Sequence, residues 1–323
     1  MKTIIYENYG PPEVLKLIET PKPIPKDNEL LIKVFFSTVN RTDCGFLRAN
    51  PVIVRLFSGL FSPRNKTLGN EFSGRVEAVG EKVTLFKPGD KVFGYNDDTF
   101  GAHAEYITIS ENKWVALMPE NLTYKEAAAI TEGSHYALSD IRAANIQNGQ
   151  KVLIYGTTGA IGSAALQIIK HIGAEVTAVC DTRNIELVKS LGADEIIDYT
   201  KQDFTKLNKT FDLVFDAVGK SSFLKCRRIL KNKGIYVSTD LGYMSQNVIF
   251  ALLTPIFRGK RVLFPIPRIN KEIITYLKNL VVSGKFKPII DRVYTLEQII
   301  DAFTYVESGQ KVGNVIINIG NES

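Results

Sequence analysis

A strand that breaks into a glycine-punctuated turn and then into an apolar helix leaves few folds open to this chain. The stretch reads Val152-Leu153-Ile154-Tyr155-Gly156-Thr157-Thr158-Gly159-Ala160-Ile161-Gly162 and runs on into the helical pattern Ala164 to Ile172. Glycines at 156, 159 and 162 supply a tight turn, a close approach of backbone to a pyrophosphate and close packing of helix on strand. The helix N-terminus presents free N–H groups to the phosphates. A dinucleotide site is expected here, with Gly156, Thr158, Gly159, Ala160, Ile161 and Gly162 around the phosphates. The next apolar run ends at Cys180, where ribose-reading residues should stand. Asp181 there would accept from ribose hydroxyls and repel a 2′-phosphate, which favours NAD, whereas Arg183, beyond Thr182, would pair with that phosphate and favours NADP. The two signals conflict. Tyr199 and Val218, after the two following strands, complete the expected cofactor residues.

The surrounding pattern predicts an α/β fold. Apolar runs at Val152 to Tyr155, Val176 to Cys180, Ile196 to Ile197, Leu213 to Asp216, Ile235 to Thr239 and Val262 to Phe264 alternate with longer amphipathic segments, the pattern of a doubly wound parallel sheet. A continuous helical pattern over Thr123 to Ala144 leads into it. Before that, Leu31 to Val39, Gly74 to Val79, Lys91 to Tyr95, Glu105 to Ile109 and Trp114 to Met118 are short, alternating and divided by turns such as Lys87-Pro88-Gly89-Asp90, which predicts an antiparallel β domain. After a helix over Glu272 to Ser283 come the strand Arg292 to Thr295, a short helix through Phe303 and the strand Asn314 to Ile319. This tail is expected to rejoin the first domain. The expected division is residues 1–122 with 285–323, and 123–284 for the nucleotide-binding domain.

Composition narrows the function. At 323 residues, with 45% hydrophobic and 23% charged residues, the chain is long enough for two cores, and disordered or fibrous classes are excluded. A net charge of +6, without blocks of like charge, is no footprint of nucleic-acid binding. The apolar stretches Val52 to Phe61 and Val248 to Phe257 are too short to span a bilayer. Cys44, Cys180 and Cys226 lie far apart with no CxxC, so no disulfide framework is expected, and a cytoplasmic protein is.

Taken end to end, the chain resembles the medium-chain dehydrogenase/reductase superfamily, and within it the zinc-free branch around zeta-crystallin-like quinone oxidoreductases and NAD(P)-dependent alcohol dehydrogenase homologues. The residues carrying this are Tyr9-Gly10-Pro11-Pro12-Glu13-Val14-Leu15, Gly69-Asn70-Glu71-Phe72-Ser73-Gly74, Phe86 to Val92, the glycine turn, Leu191-Gly192-Ala193-Asp194, Phe215-Asp216-Ala217-Val218-Gly219 and Gly313-Asn314-Val315. The resemblance implies a GroES-like β domain joined to a Rossmann nucleotide-binding domain, a cleft between them and a homodimer, paired through the last sheet strand near Arg261 to Pro265. Zinc-dependent relatives would carry a Cys at Asn40, a His at Asn70 and a Cys near Glu132. Two amides and a carboxylate suit zinc poorly, so no zinc is expected. The branch also implies NADPH slightly more than NADH, with Asp181 arguing the other way.

By the same resemblance Asn40, Thr42, Asn70, Glu71, Glu132 and Tyr136 lie near the nicotinamide, and Arg41 near the pyrophosphate. Asn40 and Tyr136 are candidate donors to the acceptor oxygen, and Thr42 stands where zinc enzymes keep a proton-relay hydroxyl. His103, His135 and His171 show no ligand or triad spacing. The apolar segment Val52 to Arg64, with its two arginines, reads as a pocket mouth, as a surface for lipid or a partner, or as a short helix covering the β domain. Without a metal, the charge developing on an acceptor oxygen is easiest to bear on a conjugated system. The expected activity is therefore hydride transfer from NAD(P)H to a quinone, enone or similar small hydrophobic carbonyl. The alternatives are zinc-independent alcohol and carbonyl interconversion, or cofactor binding without turnover in an interaction protein.

Overall fold

In chain order the first strands and helices are β1 Lys2–Ile5, β2 Lys16–Glu19, β3 Glu29–Val39, α1 Arg41–Arg48, α2 Val54–Ser58, β4 Glu71–Val79, β5 Lys91–Tyr95, β6 Tyr106–Ser110, β7 Trp114–Leu117 and α3 Tyr124–Ala127. There follow α4 Thr131–Ala144, β8 Lys151–Tyr155, α5 Ala160–Ile172, β9 Glu175–Cys180, α6 Ile185–Ser190, β10 Glu195–Asp198, β11 Phe211–Asp216, α7 Phe223–Cys226, β12 Leu230–Ser238, α8 Gln246–Leu253 and β13 Arg261–Leu263. The last are α9 Lys271–Val282, β14 Ile290–Thr295, α10 Ile299–Glu307 and β15 Asn314–Asn318. These elements belong to a computed structural model that describes residues 1–267 and 270–320.

The chain divides into two compact units. The first comprises Met1–Glu132, Ile269–Val282 and Pro288–Ser323, the second Gly133–Arg268 and Ser283–Lys287. In the first, the alternation of β3 sends Leu30, Ile32 and Val34 into one core with Phe72, Val92 and Ile107. Val39, at the end of β3, joins a second core with Leu47, Ile299, Phe303, Val315 and Ile317. The sheet that separates the cores runs β14-β15-β3-β4-β5-β7, with β6 also paired to β3. Only β14 and β15 are parallel neighbours; the rest are antiparallel. The tail thus returns to the first unit by pairing β15 with β3, Ile316 opposite Thr38.

The expected helix over Thr123 to Ala144 is two helices. Thr123 caps α3 in a reciprocal box with Glu126, and α3 stops after one turn. The chain starts again at Thr131 because a buried carboxylate, Glu71 on β4, accepts the N–H groups of Thr131 and Glu132 and acts as the cap of α4. Tyr124 packs edge-on to Phe35 and its carbonyl accepts from Ser73, so the first unit runs on past the expected boundary at residue 122. The Val52 to Arg64 segment contains only the five-residue α2. Its apolar side chains Val52, Leu56, Phe57 and Phe61 are exposed, so α2 does not serve as a cover for the β domain. Tyr9 holds this segment, bonding Ser58 Oγ and donating to Gly59 O, each at 2.7 Å.

The second unit is a six-stranded parallel sheet in the order β10-β9-β8-β11-β12-β13. Val152, Leu153 and Ile154 of the central β8 are fully buried, as strands covered on both faces require. On α5, the run Gly162 to Ile169 is buried.

Phe303 is fully buried in the second core of the first unit. Phe303→Ala is expected to lower that unit's unfolding free energy by about 3–5 kcal/mol, read as a shift of its urea midpoint with unchanged slope.

Candidate active site

The glycine turn builds an anion cradle within the second unit. Gly156 adopts φ +82°, and a Cβ there would meet Val218 at 2.3 Å. A Cβ on Gly162 would lie 2.1 Å from Gly156 O, so the helix can approach the strand only where no side chain intervenes. Gly159 is the N-cap of α5 with no side-chain cap, and a Cβ there would meet nothing closer than 3.7 Å. Space is left above the helix, and the first-turn N–H groups of Ala160, Ile161 and Gly162 precede the first intrahelical bond, from Ser163 to Gly159. These residues fit a pyrophosphate.

Two supports of the cradle escaped sequence reasoning. Thr157, rather than Thr158, ties β8 to β9: its Oγ donates toward Ile154 O at 3.0 Å and accepts from Val179 N–H at 3.2 Å. Asp216, buried at the end of β11, accepts from the N–H groups of Val218, Gly219 and Ser221 and from the Tyr236 hydroxyl. That carboxylate fixes the loop that sets Val218 against Gly156. An acidic residue ending a buried strand is the only sequence signal for it.

At the end of β9, Asp181 and Arg183 stand together. The Asp181 carboxylate accepts from Asn184 at 2.6 Å and from Arg183 at 3.0 Å, while the Arg183 side chain is 87% exposed. The two conflicting cofactor signals are thus one ion pair, whose cationic half stays free to swing. Thr182 donates to Asp198 rather than facing solvent alone. Tyr199 is half exposed, its N–H bonded to Cys180 O at 3.0 Å and its ring edge-on to Tyr155.

The first unit holds a closed polar network. Asn40 caps α1: its Oδ1 accepts from Asp43 N–H, and the Asp43 carboxylate accepts from Asn40 N–H, both at 3.0 Å. The other end of the Asn40 amide donates to Asn70 Oδ1 at 2.7 Å, and Asn70 Nδ2 donates to Glu132 at 3.0 Å. The second Glu132 oxygen lies 2.6 Å from the Thr42 hydroxyl. Glu71 accepts from Thr38 Oγ, Thr131 Oγ and the N–H groups of Thr131 and Glu132. His103, fully buried, bonds Thr38 O at 2.8 Å through Nε2, and burial lowers its pKa to about 4, so it is neutral.

Sequence-expected residues therefore fall into two sets. Asn40, Thr42, Asn70, Glu71 and Glu132 are brought into one hydrogen-bonded cluster, with Arg41 exposed on the first turn of α1. Tyr136 belongs to the second unit, half-buried on α4, its ring centroid 4.6 Å from that of His135. His171 is exposed in the last turn of α5. Lys311, unremarked in the sequence, is half-buried just before β15, donates to Gly313 O at 2.7 Å and has its pKa lowered by burial. Among the described residues no three His, Cys, Asp or Glu side chains are arranged to hold a metal ion.

Two family models match the chain: the alcohol dehydrogenase GroES-like domain over residues 26–120 and the zinc-binding dehydrogenase over residues 191–317. The 2-methylene-furan-3-one reductase of Solanum lycopersicum is 34% identical, over 98% of this chain and 79% of its own. A chloroplastic quinone-oxidoreductase homolog of Spinacia oleracea is 32% identical over 98% of both chains. Among solved structures, the quinone oxidoreductase of Coxiella burnetii superposes with a TM-score of 0.88 at 29% identity, covering 99% of each chain.

Two outcomes follow from this geometry. Gly162→Val is expected to abolish nicotinamide-nucleotide binding in a fluorescence titration, because the side chain would drive α5 off β8. The second concerns pH. Burial pushes the Asp43 carboxyl up from 3.8 to about 7, and burial with the charges of Glu71 and Asp43 holds Glu132 well above the usual carboxylate range. The native state thus keeps protons that the unfolded chain has released near pH 4, so this stability is full below that value and is lost as pH rises through about 7. The urea midpoint of the first unit is expected to fall between about pH 4 and 7, at up to about 1.4 kcal/mol per pH unit for each proton. The slope is expected to be shallower in Glu132→Gln.

Proposed function

The chain belongs to the medium-chain dehydrogenase/reductase superfamily, in its quinone-oxidoreductase-like branch, and from that membership we propose an NAD(P)H-dependent oxidoreductase that reduces enones, quinones and similar conjugated carbonyls without a metal. The main support is the amide, carboxyl and hydroxyl network at Asn40, Asn70, Glu132 and Thr42. Where a metal-dependent relative would need thiolate and imidazole, these side chains spend their polar groups on one another. They offer an acceptor neutral hydrogen-bond donors rather than a Lewis acid. Neutral donors suffice where the charge spreads over a conjugated system, and are weak help for an isolated alkoxide.

Reduced nicotinamide supplies the hydride when bound. The chain's own residues supply the rest. The α5 N-terminus, with Gly156, Gly159 and Gly162, receives the pyrophosphate, and Arg41 adds a cation. Thr158, Ala160 and Ile161 line the same turn, and Thr182 and Tyr199 flank the adenosine end. Thr42 and Tyr136 each carry a hydroxyl that can donate to an acceptor oxygen. Asn40 can donate as well, since an amide NH2 has two hydrogens and one goes to Asn70.

We assign NADPH as the preferred cofactor, because exposed Arg183 can leave Asp181 for a 2′-phosphate. One relative is named an NADPH-dependent alkenal/one oxidoreductase, from Arabidopsis thaliana. The reading extends to a homodimer through the edge strand β13, beside which Leu252, Ile256 and Phe257 are exposed. A cytoplasmic setting accords with three free, buried cysteines.

The deciding experiment titrates the purified protein with NADPH and NADH, then offers quinones, enones, aldehydes and alcohols while following the reduced-nicotinamide absorbance. Turnover confined to conjugated acceptors, with zinc far below stoichiometric by metal analysis, is the expected result. Turnover of saturated ketones or simple alcohols would favour carbonyl interconversion, and tight binding without turnover an interaction protein. Arg183→Ala is expected to weaken NADPH by about ten- to a hundredfold while leaving NADH little changed. Light scattering should report a dimer at micromolar concentration.

A further inference from the structure

The hydrogen bonds of the network have a direction, and it can be read from its anchored end. The capping box of α1 pins Asn40 Oδ1 against the Asp43 N–H, so the Asn40 amide cannot flip. Its Nδ2 must therefore face Asn70, which turns Asn70 Oδ1 toward it and Asn70 Nδ2 toward Glu132 Oε2. That carboxyl oxygen is committed to accepting. Glu132 Oε1, 2.6 Å from Thr42 Oγ and with no amide donor against it, is the position best placed for a proton, and it is aimed at the Thr42 hydroxyl.

The donors around the three buried carboxyls tell which of them holds a proton. Glu71 receives four: Thr38 Oγ–H, Thr131 Oγ–H and the N–H groups of Thr131 and Glu132, at 2.6–2.9 Å. Asp43 receives the N–H groups of Gly69 and Asn40 at 2.9 and 3.0 Å. Glu132 receives one side-chain amide and shares one hydroxyl, while facing the carboxyls of Glu71 and Asp43, with Lys311 and Arg41 the cations of the surroundings. Burial and the two neighbouring carboxylates raise its pKa, in agreement with the donor arrangement.

We propose that Glu132 stores a proton on Oε1 and passes it to Thr42, so that the Thr42 hydroxyl hydrogen is free to go to the acceptor oxygen. This rests on the oxidoreductase reading above. With Glu132 ionised, the Thr42 hydrogen is held by the carboxylate and the hydroxyl shows an acceptor only its lone pairs, which repel developing negative charge. With Glu132 protonated, Thr42 accepts from it and donates outward. In the step, the Thr42 O–H bond breaks as the acceptor O–H forms, and the Glu132 O–H bond breaks as the Thr42 O–H re-forms. Glu132 then regains a proton from water. Added to the hydride from reduced nicotinamide, this proton completes the two-electron reduction. Glu132 is a positioning residue that acts through Thr42.

Two readouts test it. Infrared spectra of the cofactor-free protein at neutral pH should show, in the difference between wild type and Glu132→Gln, the C=O band of one protonated carboxyl beside any contributed by Asp43 and Asp140, and that component should shift in Thr42→Val, where its short partner is gone. The second is kcat against pH with a conjugated acceptor. The wild type should lose rate on a high-pH limb. Glu132→Gln, whose Nε2 can donate to Thr42 while Oε1 accepts from Asn70, should run ten- to a hundredfold slower without that limb, and Thr42→Ser should restore it relative to Thr42→Val. An unchanged limb in Glu132→Gln, or no protonated-carboxyl band that responds to Glu132→Gln or Thr42→Val, overturns the proposal. Should the wild type reduce no acceptor, the oxidoreductase reading fails, while the infrared band still decides where the proton sits. The Thr42→Val spectrum keeps the test intact if the Gln variant does not fold.

Discussion

The carboxylate of Glu71 is the point on which the first unit's chemistry depends. It leaves β4 fully buried, takes four donors and in doing so starts α4 and fastens its first turn to β3 and β4. A carboxyl group without water is tolerable only when hydrogen bonds replace hydration, and four donors do so here. By seating the N-terminus of α4, Glu71 places Glu132 within reach of Asn70 and Thr42.

Division of labour follows from the two kinds of sheet. The parallel sheet of the second unit directs strand ends and helix N-termini toward one edge, where unpaired first-turn N–H groups are left to receive an anion. The antiparallel sheet of the first unit offers no such field. It gathers side chains from β3, α1, β4 and α4 instead, and surrounds them with apolar cores on either side.

Much of this was legible in advance. The glycine turn, the six apolar runs and the alternation of β3 to β7 announce the two sheets, because burial on both faces and burial on one face leave different hydrophobic periods. The pairing of β1 with β2 was not legible: β2 buries none of its residues, so no hydrophobic alternation marks it. Nor was the break at 128–130, since its cause lies some sixty residues earlier, on β4. Among site residues, Asn40, Thr42, Asn70 and Glu132 came from resemblance to a family rather than from spacing. Thr157 and Asp216 stood in quoted motifs, but their supporting roles depend on partners in other strands and loops, and Lys311 has an unremarkable neighbourhood in the chain.

The sequence by itself determined the pairing of an antiparallel with a parallel sheet and the tight glycine turn ahead of α5, since hydrophobic period and glycine placement are local properties. It could also pair Asp181 with Arg183 as rival signals, but not join them in one ion pair. Tertiary structure alone decided that, as it decided which end of each amide faces which carboxyl and where a buried proton can sit. Those outcomes depend on the directions of hydrogen bonds between strands and helices far apart in the chain, and a direction in space is not written in a residue's identity or its neighbours.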